Sequence, residues 1–179
     1  MHMFILSGKI FNLKRRYSFW GMFLAVPKGC LPSQKTAYKI KQWLESEGLD
    51  CVALIGEFAK NSLFSYHVTL ASGTEITVFQ PTNKSDSITI SATLFLSEDK
   101  VKSLRKKQRS MQEGTFSEVL IKLAPLDVDV SLEGGEIFQR ININHQIYFD
   151  GLTKDRFFRA ISTVNRAYRL AEWIVEQTI

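Results

Sequence analysis

The chain has 179 residues, 45% hydrophobic and 23% charged, with 23 basic against 18 acidic residues. Those proportions are ordinary for one globular domain and exclude a wholly disordered chain, a collagen-like chain and a multi-span membrane protein. Two cysteines, Cys30 and Cys51, are too few for a disulfide framework or a zinc site, and His2, His67 and His145 are too widely spaced for a metal motif.

The first 34 residues hold Lys9, Lys14, Arg15, Arg16 and Lys28 and no acid, together with an apolar run from Tyr17 to Val26. The run is short for a signal sequence, and Lys28 spoils the cleavage region. It is also far short of the about 20 apolar residues that span a membrane. Residues 1–32 therefore read as a basic and apolar N-terminal extension to a single domain over 33–179. Three roles stay open for it: a segment packing on the domain, an upstream extension with Met22 as the true start, or a weak membrane or export element. The remaining 18 basic residues balance the 18 acids, so the whole excess of positive charge belongs to this head.

From Pro32 the signals become regular. Ala37, Ile40, Trp43 and Leu44 recur at helical spacing and Gly48 closes a helix over 34–47. Leu49 to Asn61 is apolar without a clean period and reads as a short strand or an irregular cover. Phe64, Tyr66, Val68 and Leu70 alternate with polar residues, and so do Ile76 and Val78, then Ile88 to Leu96. Turn residues lie between these runs, which makes an antiparallel meander. Ser97-Glu98-Asp99 starts a helix with acids in its first turn. Val101, Leu104 and Met111 share one face, Gly114 reads as a break, and Thr115 to Glu118 reads as a capping box. Phe116, Val119, Leu120 and Leu123 then form an apolar stripe. Two more strands follow, around Val128 to Val130 and Ile137 to Ile147, joined by Glu133-Gly134-Gly135-Glu136. The last element, capped by Thr153, is a helix to about Gln177 with Phe157, Ile161, Val164, Tyr168, Ala171 and Val175 in one stripe.

The order α-β-β-β-α-β-β-α predicts an α+β fold with one antiparallel sheet of about five strands covered on one face by helices. The other face is expected to carry Ser65, His67, Thr69, Thr77, Thr89, Ser91, Thr93, Arg140, Asn142, Asn144 and Gln146, polar and nearly uncharged. Such a face is either simply solvated or a surface for a protein partner or a second copy. Threonine and asparagine cost less to desolvate than lysine or glutamate.

Several stretches resemble an uncharacterised, largely archaeal protein family with no assigned function. They are Ile76 to Pro81, Asp86 to Ile90, and Ile147 to Phe157 with its Asp150-Gly151-Leu152-Thr153 helix start. The resemblance covers about 33–177 and implies a fold similar to type III secretion chaperones and YbjN-like proteins. It carries over no catalytic residues. By analogy of fold it implies protein binding.

The residues for chemistry are sparse. No glycine loop stands at a strand-to-helix junction to cradle phosphate. His67 lies among hydroxyls on the polar face without an orienting partner in the pattern, His145 reads as a strand-end residue, and Asp127 and Asp129 read as edge-strand acids on one face. The expectation is a non-enzymatic, cytoplasmic protein-interaction module without a cofactor, possessing no membrane span. Its candidate partner-binding residues are Ser65, His67, Thr69, Thr89, Ser91, Thr93, Arg140, Asn142 and Asn144. The alternative is nucleic-acid binding through phosphate contacts from Arg105, Lys106, Lys107, Arg109, Arg159 and Arg166. That basic run has no interleaved aromatic residues for stacking on bases.

Overall fold

The computed structural model describes residues 32–55, 60–84, 86–106, 109–134 and 138–178. The N-terminal extension up to residue 31, Lys107, and the side chains of Arg109 and Met111 lie outside the described residues.

Helix α1 (Pro32–Ser46) is followed by β1 (Cys51–Ala53), β2 (Ser62–Thr69), β3 (Glu75–Pro81) and β4 (Ser87–Phe95). Helices α2 (Glu98–Lys106) and α3 (Arg109–Leu123) lead through a 3-10 turn, Ala124–Leu126, to β5 (Asp129–Gly134) and β6 (Phe138–Tyr148). A second 3-10 turn, Phe149–Gly151, precedes α4 (Lys154–Thr178). The strands form one sheet in the order β1-β2-β3-β4-β6-β5, with every neighbouring pair antiparallel. The fold is the α+β arrangement the sequence implied, with six strands rather than five. The additional strand is β1, which pairs Cys51, Val52 and Ala53 with Val68, His67 and Tyr66. Three residues are too few for an alternating pattern to declare itself, which is why the 49–61 stretch has no readable period.

One row of apolar side chains per strand makes the core. Val68, Ile76, Val78, Ile88, Ile90, Ala92, Ile141, Ile143 and Ile147 are buried together with Phe157, Ile161, Val164, Ala171 and Val175 of α4 and with Ile40 and Leu44 of α1. Trp43 of α1 stacks obliquely on Phe157 at 5.7 Å, which joins the first and last helices. The Lys154 ammonium reaches Glu47 at 2.6 Å and the Ser46 hydroxyl at 2.9 Å on the surface above that contact.

The ends of the helices follow capping chemistry. Leu49 N–H donates to Leu44 O at 3.0 Å and Gly48 N–H to Glu45 O at 3.0 Å, with Gly48 at φ +71. Those two bonds define a Schellman stop, which needs a left-handed residue and so favours glycine. At α4 the Thr153 hydroxyl accepts from the Arg156 N–H at 3.2 Å, so Thr153 is the N-cap.

The α2–α3 region departs from the sequence reading. Gly114 lies inside α3 and does not break it, and Thr115 is a buried mid-helix residue rather than a cap. Phe116 is 39% exposed, while Val119 and Leu123 carry the buried stripe. A capping-box pattern is only four residues long. Here the packing of α3 against α4 decides the helix phase over it.

Candidate protein-interaction face

Directly opposed residues in antiparallel strands share a face of the sheet, so the registers fix what the helix-free side displays. One row crosses the sheet through Val52, His67, Thr77, Ser91, Asn144 and Asp129. A second passes through Ser65, Phe79, Thr89 and Gln146. Toward the far end lie Thr93, Asn142 and Ser131, then Phe95, Arg140 and Glu133. Eight of the nine expected residues stand on this face with side chains at least partly open. Ser65 is the exception: it belongs to the face by register but is only 5% exposed, so it cannot meet a partner. Thr69 stands at the margin, opposite Glu75 beside the β2–β3 turn.

Two hydrogen-bonded lines border the middle of the face. Thr93 Oγ1 donates to Asn142 Oδ1 at 3.0 Å, and Asn142 Nδ2 donates to Glu133 Oε1 at 2.7 Å. Arg140 approaches the other oxygen of Glu133 at 3.7 Å and lies 5.5 Å from the Phe95 ring centre. On the opposite side Gln146 Nε2 donates to Ser87 Oγ at 2.8 Å and its carbonyl accepts from Lys84 at 3.0 Å. Between these lines the side chains of Thr77, Thr89, Ser91 and Asn144 make no hydrogen bond among the described residues. Their donors and acceptors are free for water or a ligand.

The face is less uniformly polar than the pattern suggested. Glu75, Asp129, Glu133 and Arg140 charge its ends, and Phe79, Phe95, Tyr148 and Val52 stand on it. Phe95, Tyr148 and Val52 are exposed. The signal was available: Phe95 has the parity of Thr93, and Tyr148 that of Gln146.

His67 Nε2 is 4.0 Å from the exposed carboxylate of Glu75 and has no hydrogen bond to a hydroxyl among the described residues. His145 faces the helix-covered side, opposite Ile90, and its Nδ1 lies 2.6 Å from Asp127 O. Asp127 precedes β5 in a left-handed conformation at φ 50, so it does not share a strand face with Asp129. The Cys51 thiol is pushed up chiefly by burial, then by Glu45 and against Lys41. The Tyr66 phenol is pushed up by burial, then by Cys51 and Glu45, and it donates to Ala37 O at 3.3 Å. Both belong to rows on the covered side. Cys51 is a free thiol. Among the described residues no cluster of three or more metal-ligating side chains occurs, and no helix is long and apolar enough to cross a membrane.

Of the basic residues proposed for phosphate contact, the described ones divide between α2, with Arg105 and Lys106, and α4, with Arg159 and Arg166. Arg105 and Lys106 are exposed at the end of α2, and Lys100 of the same helix meets Glu176 near the end of α4 at 3.5 Å. Arg159 stands near the start of α4, about 25 Å from Glu176 along the axis at ~1.5 Å per residue. It pairs with Asp155 at 2.9 Å, and Arg166 bonds to the Thr163 hydroxyl at 3.4 Å.

A family described as an uncharacterised conserved protein, DUF2299, matches residues 36–175. The chain belongs to that family. It is similar to the crystal structure of an uncharacterised protein from Methanothermobacter thermautotrophicus, at 28% identity and a TM-score of 0.71 over 79% of this chain and 97% of that one. It also shares its fold with the structure of the ExsC-ExsE complex, at 12% identity and a TM-score of 0.50 over 81% of this chain and 97% of that one. No curated protein matches it. The DUF2299 match begins at Thr36, after the whole of the basic head. Within the DUF2299 chain the resemblance stretch Asp150 to Phe157 is a structural device, the turn and N-cap that launch α4.

Proposed function

We propose that this chain is a non-catalytic protein-binding module, chaperone-like in its use of an open sheet, and that its partner lies on the helix-free face. The observation that carries the reading is the unbonded centre of that face, Thr77, Thr89, Ser91 and Asn144, set between exposed Phe95, Tyr148 and Val52. Interfaces combine apolar anchors with polar groups that can be satisfied across the contact. The ExsC-ExsE structure is of a complex, which supports a binding role for this fold. The few cysteines and the free thiol of Cys51 fit a reducing compartment such as the cytoplasm.

The test is purification from the native source, identification of a co-purifying protein by mass spectrometry, and titration of that purified protein against variants. Ser91→Arg with Asn144→Arg is expected to weaken binding about tenfold or more, and Arg166→Ala to leave it unchanged. Equal binding by the face variant, or a chain that retains nothing specific, overturns the proposal. Salt-sensitive retention of nucleic acid lost in Arg105→Glu/Lys106→Glu would replace it.

A further inference from the structure

The two edges of the sheet differ in kind. The β5 edge carries Asp129 and Glu133, acids that discourage pairing with another strand. The β1 edge, Cys51-Val52-Ala53, carries no charge, and Val52 is 62% exposed.

The hydrogen-bond phase of β1 follows from one contact. Leu54 N–H donates to Ser65 O at 3.0 Å, continuing the pairing of Val52 with His67 and Ala53 with Tyr66. Opposed pairs in an antiparallel ladder alternate between bonded and non-bonded. Val52 therefore turns its N–H and C=O toward β2. Cys51 and Ala53 turn theirs outward, where they have no partner among the described residues.

We propose that β1 pairs with β1 of a second copy of this chain, antiparallel about a two-fold axis through Val52. The arrangement is self-complementary. Cys51 stands opposite the partner's Ala53, and Ala53 opposite the partner's Cys51. Each of these is a bonded pair, so four hydrogen bonds satisfy all the outward N–H and C=O groups of both strands. Val52 then meets the partner's Val52 in the non-bonded position, where side chains are closest. Continued outward, the register sets Ile55, 93% exposed, toward the partner's Leu49. The same operation on β5, centred on Ser131, would oppose Asp129 and the partner's Glu133, a repulsive pair. The two-fold closes the assembly as a dimer with one continuous sheet. A three-residue overlap is small against the about 800 Å² per partner of a standard interface, so the dimer belongs to the weak, concentration-dependent class.

Sedimentation equilibrium of the full chain from low micromolar to near millimolar concentration tests this. The expected result is a monomer–dimer equilibrium. Val52→Lys places like charges across the axis and is expected to raise the dissociation constant about tenfold or more. Ala53→Pro deletes an outward N–H at an edge position that tolerates proline, and is expected to act in the same direction. Circular dichroism establishes that each variant is folded, and amide exchange over residues 50–54 is expected to slow as concentration rises. A chain that stays monomeric throughout, a dimer unaffected by both folded variants, a dimer lost on adding reductant, or open-ended oligomers would each overturn the two-fold β1 pairing.

Discussion

The Arg156 guanidinium occupies the space that a Cβ on Gly151 would fill. Gly151 ends the 3-10 turn, and Arg156 lies in the first turns of α4. The arginine folds back over the turn that launches its own helix.

That contact is with the far end of a flexible side chain, so it can yield. Gly151→Ala is expected to cost within about 0.5 kcal/mol, as Arg156 swings into solvent. Gly48→Ala meets open space but must hold φ +71, and is expected to cost about 1–2 kcal/mol. Thr153→Ala removes the N-cap and is expected to cost about 1 kcal/mol. Urea denaturation of the three variants checks the order.

Phe157 is fully buried between Trp43 and Phe158, with ring centres at 5.7 and 5.2 Å. Phe157→Ala is expected to destabilise the domain by about 3–5 kcal/mol through lost burial and the cavity left behind. Phe116→Ala, on the outer side of α3, is expected to cost less than about 1.5 kcal/mol because that ring is already partly in water. If the two costs prove equal by chemical denaturation, the phase of α3 is wrong.

Raised thiol and phenol pKa values bear on alkaline stability. Folding favours the protonated forms of Cys51 and Tyr66. Their contribution is fully present below the unfolded pKa values and is lost as pH rises through the higher folded ones. Stability is therefore expected to decline on the alkaline side, from about pH 8.5 to beyond 10. Tyr66→Phe removes the phenol's share of this slope along with its bond to Ala37 O. Melting temperatures of both proteins across that range measure it. A slope unchanged by the substitution would exclude Tyr66 as a source.

The ion pair between Lys154 and Glu47 joins α4 to α1, but both side chains are more than two-fifths exposed. Exposed pairs contribute about 0–1 kcal/mol after screening and side-chain ordering. Lys154→Met is expected to shift stability by no more than about 1 kcal/mol, an effect that shrinks further at high salt. A larger loss in a salt titration of the melting temperature would show that Lys154 does more than pair with a carboxylate.

Much of the architecture was legible because burial writes a period into the chain. The alternation through Ile88 to Leu94 and the stripe from Phe157 to Val175 fixed β4 and α4, including which residues would be buried. The open face followed from the same alternation read in reverse. What was illegible lay where local signals are short or compete. β1 spans three residues, and Thr115 to Glu118 carries a cap pattern that tertiary packing overrides. Ser65 shares the parity of the open face yet is buried, and parity alone cannot report local cover. The hydrogen-bonded borders from Thr93 to Glu133 and from Ser87 to Lys84 depend on strand order, since β6 and not β5 lies beside β4. Nothing local in the sequence states that order.

The insertion of β6 between β4 and β5 has a kinetic side. The meander from β2 to β4 closes through short connections, but β4 gains its second neighbour only from residues such as Asn142, 49 positions beyond Thr93. Closing so long a loop is entropically costlier, and contacts of this range slow folding. Until β6 arrives, β4 presents an edge of nine residues, SITISATLF, without one charge or proline. That composition is the signature of a strand that adds to copies of itself. β6 is thus a guard as well as a wall of the core. A chain interrupted before it, during synthesis or by proteolysis, is expected to aggregate through β4.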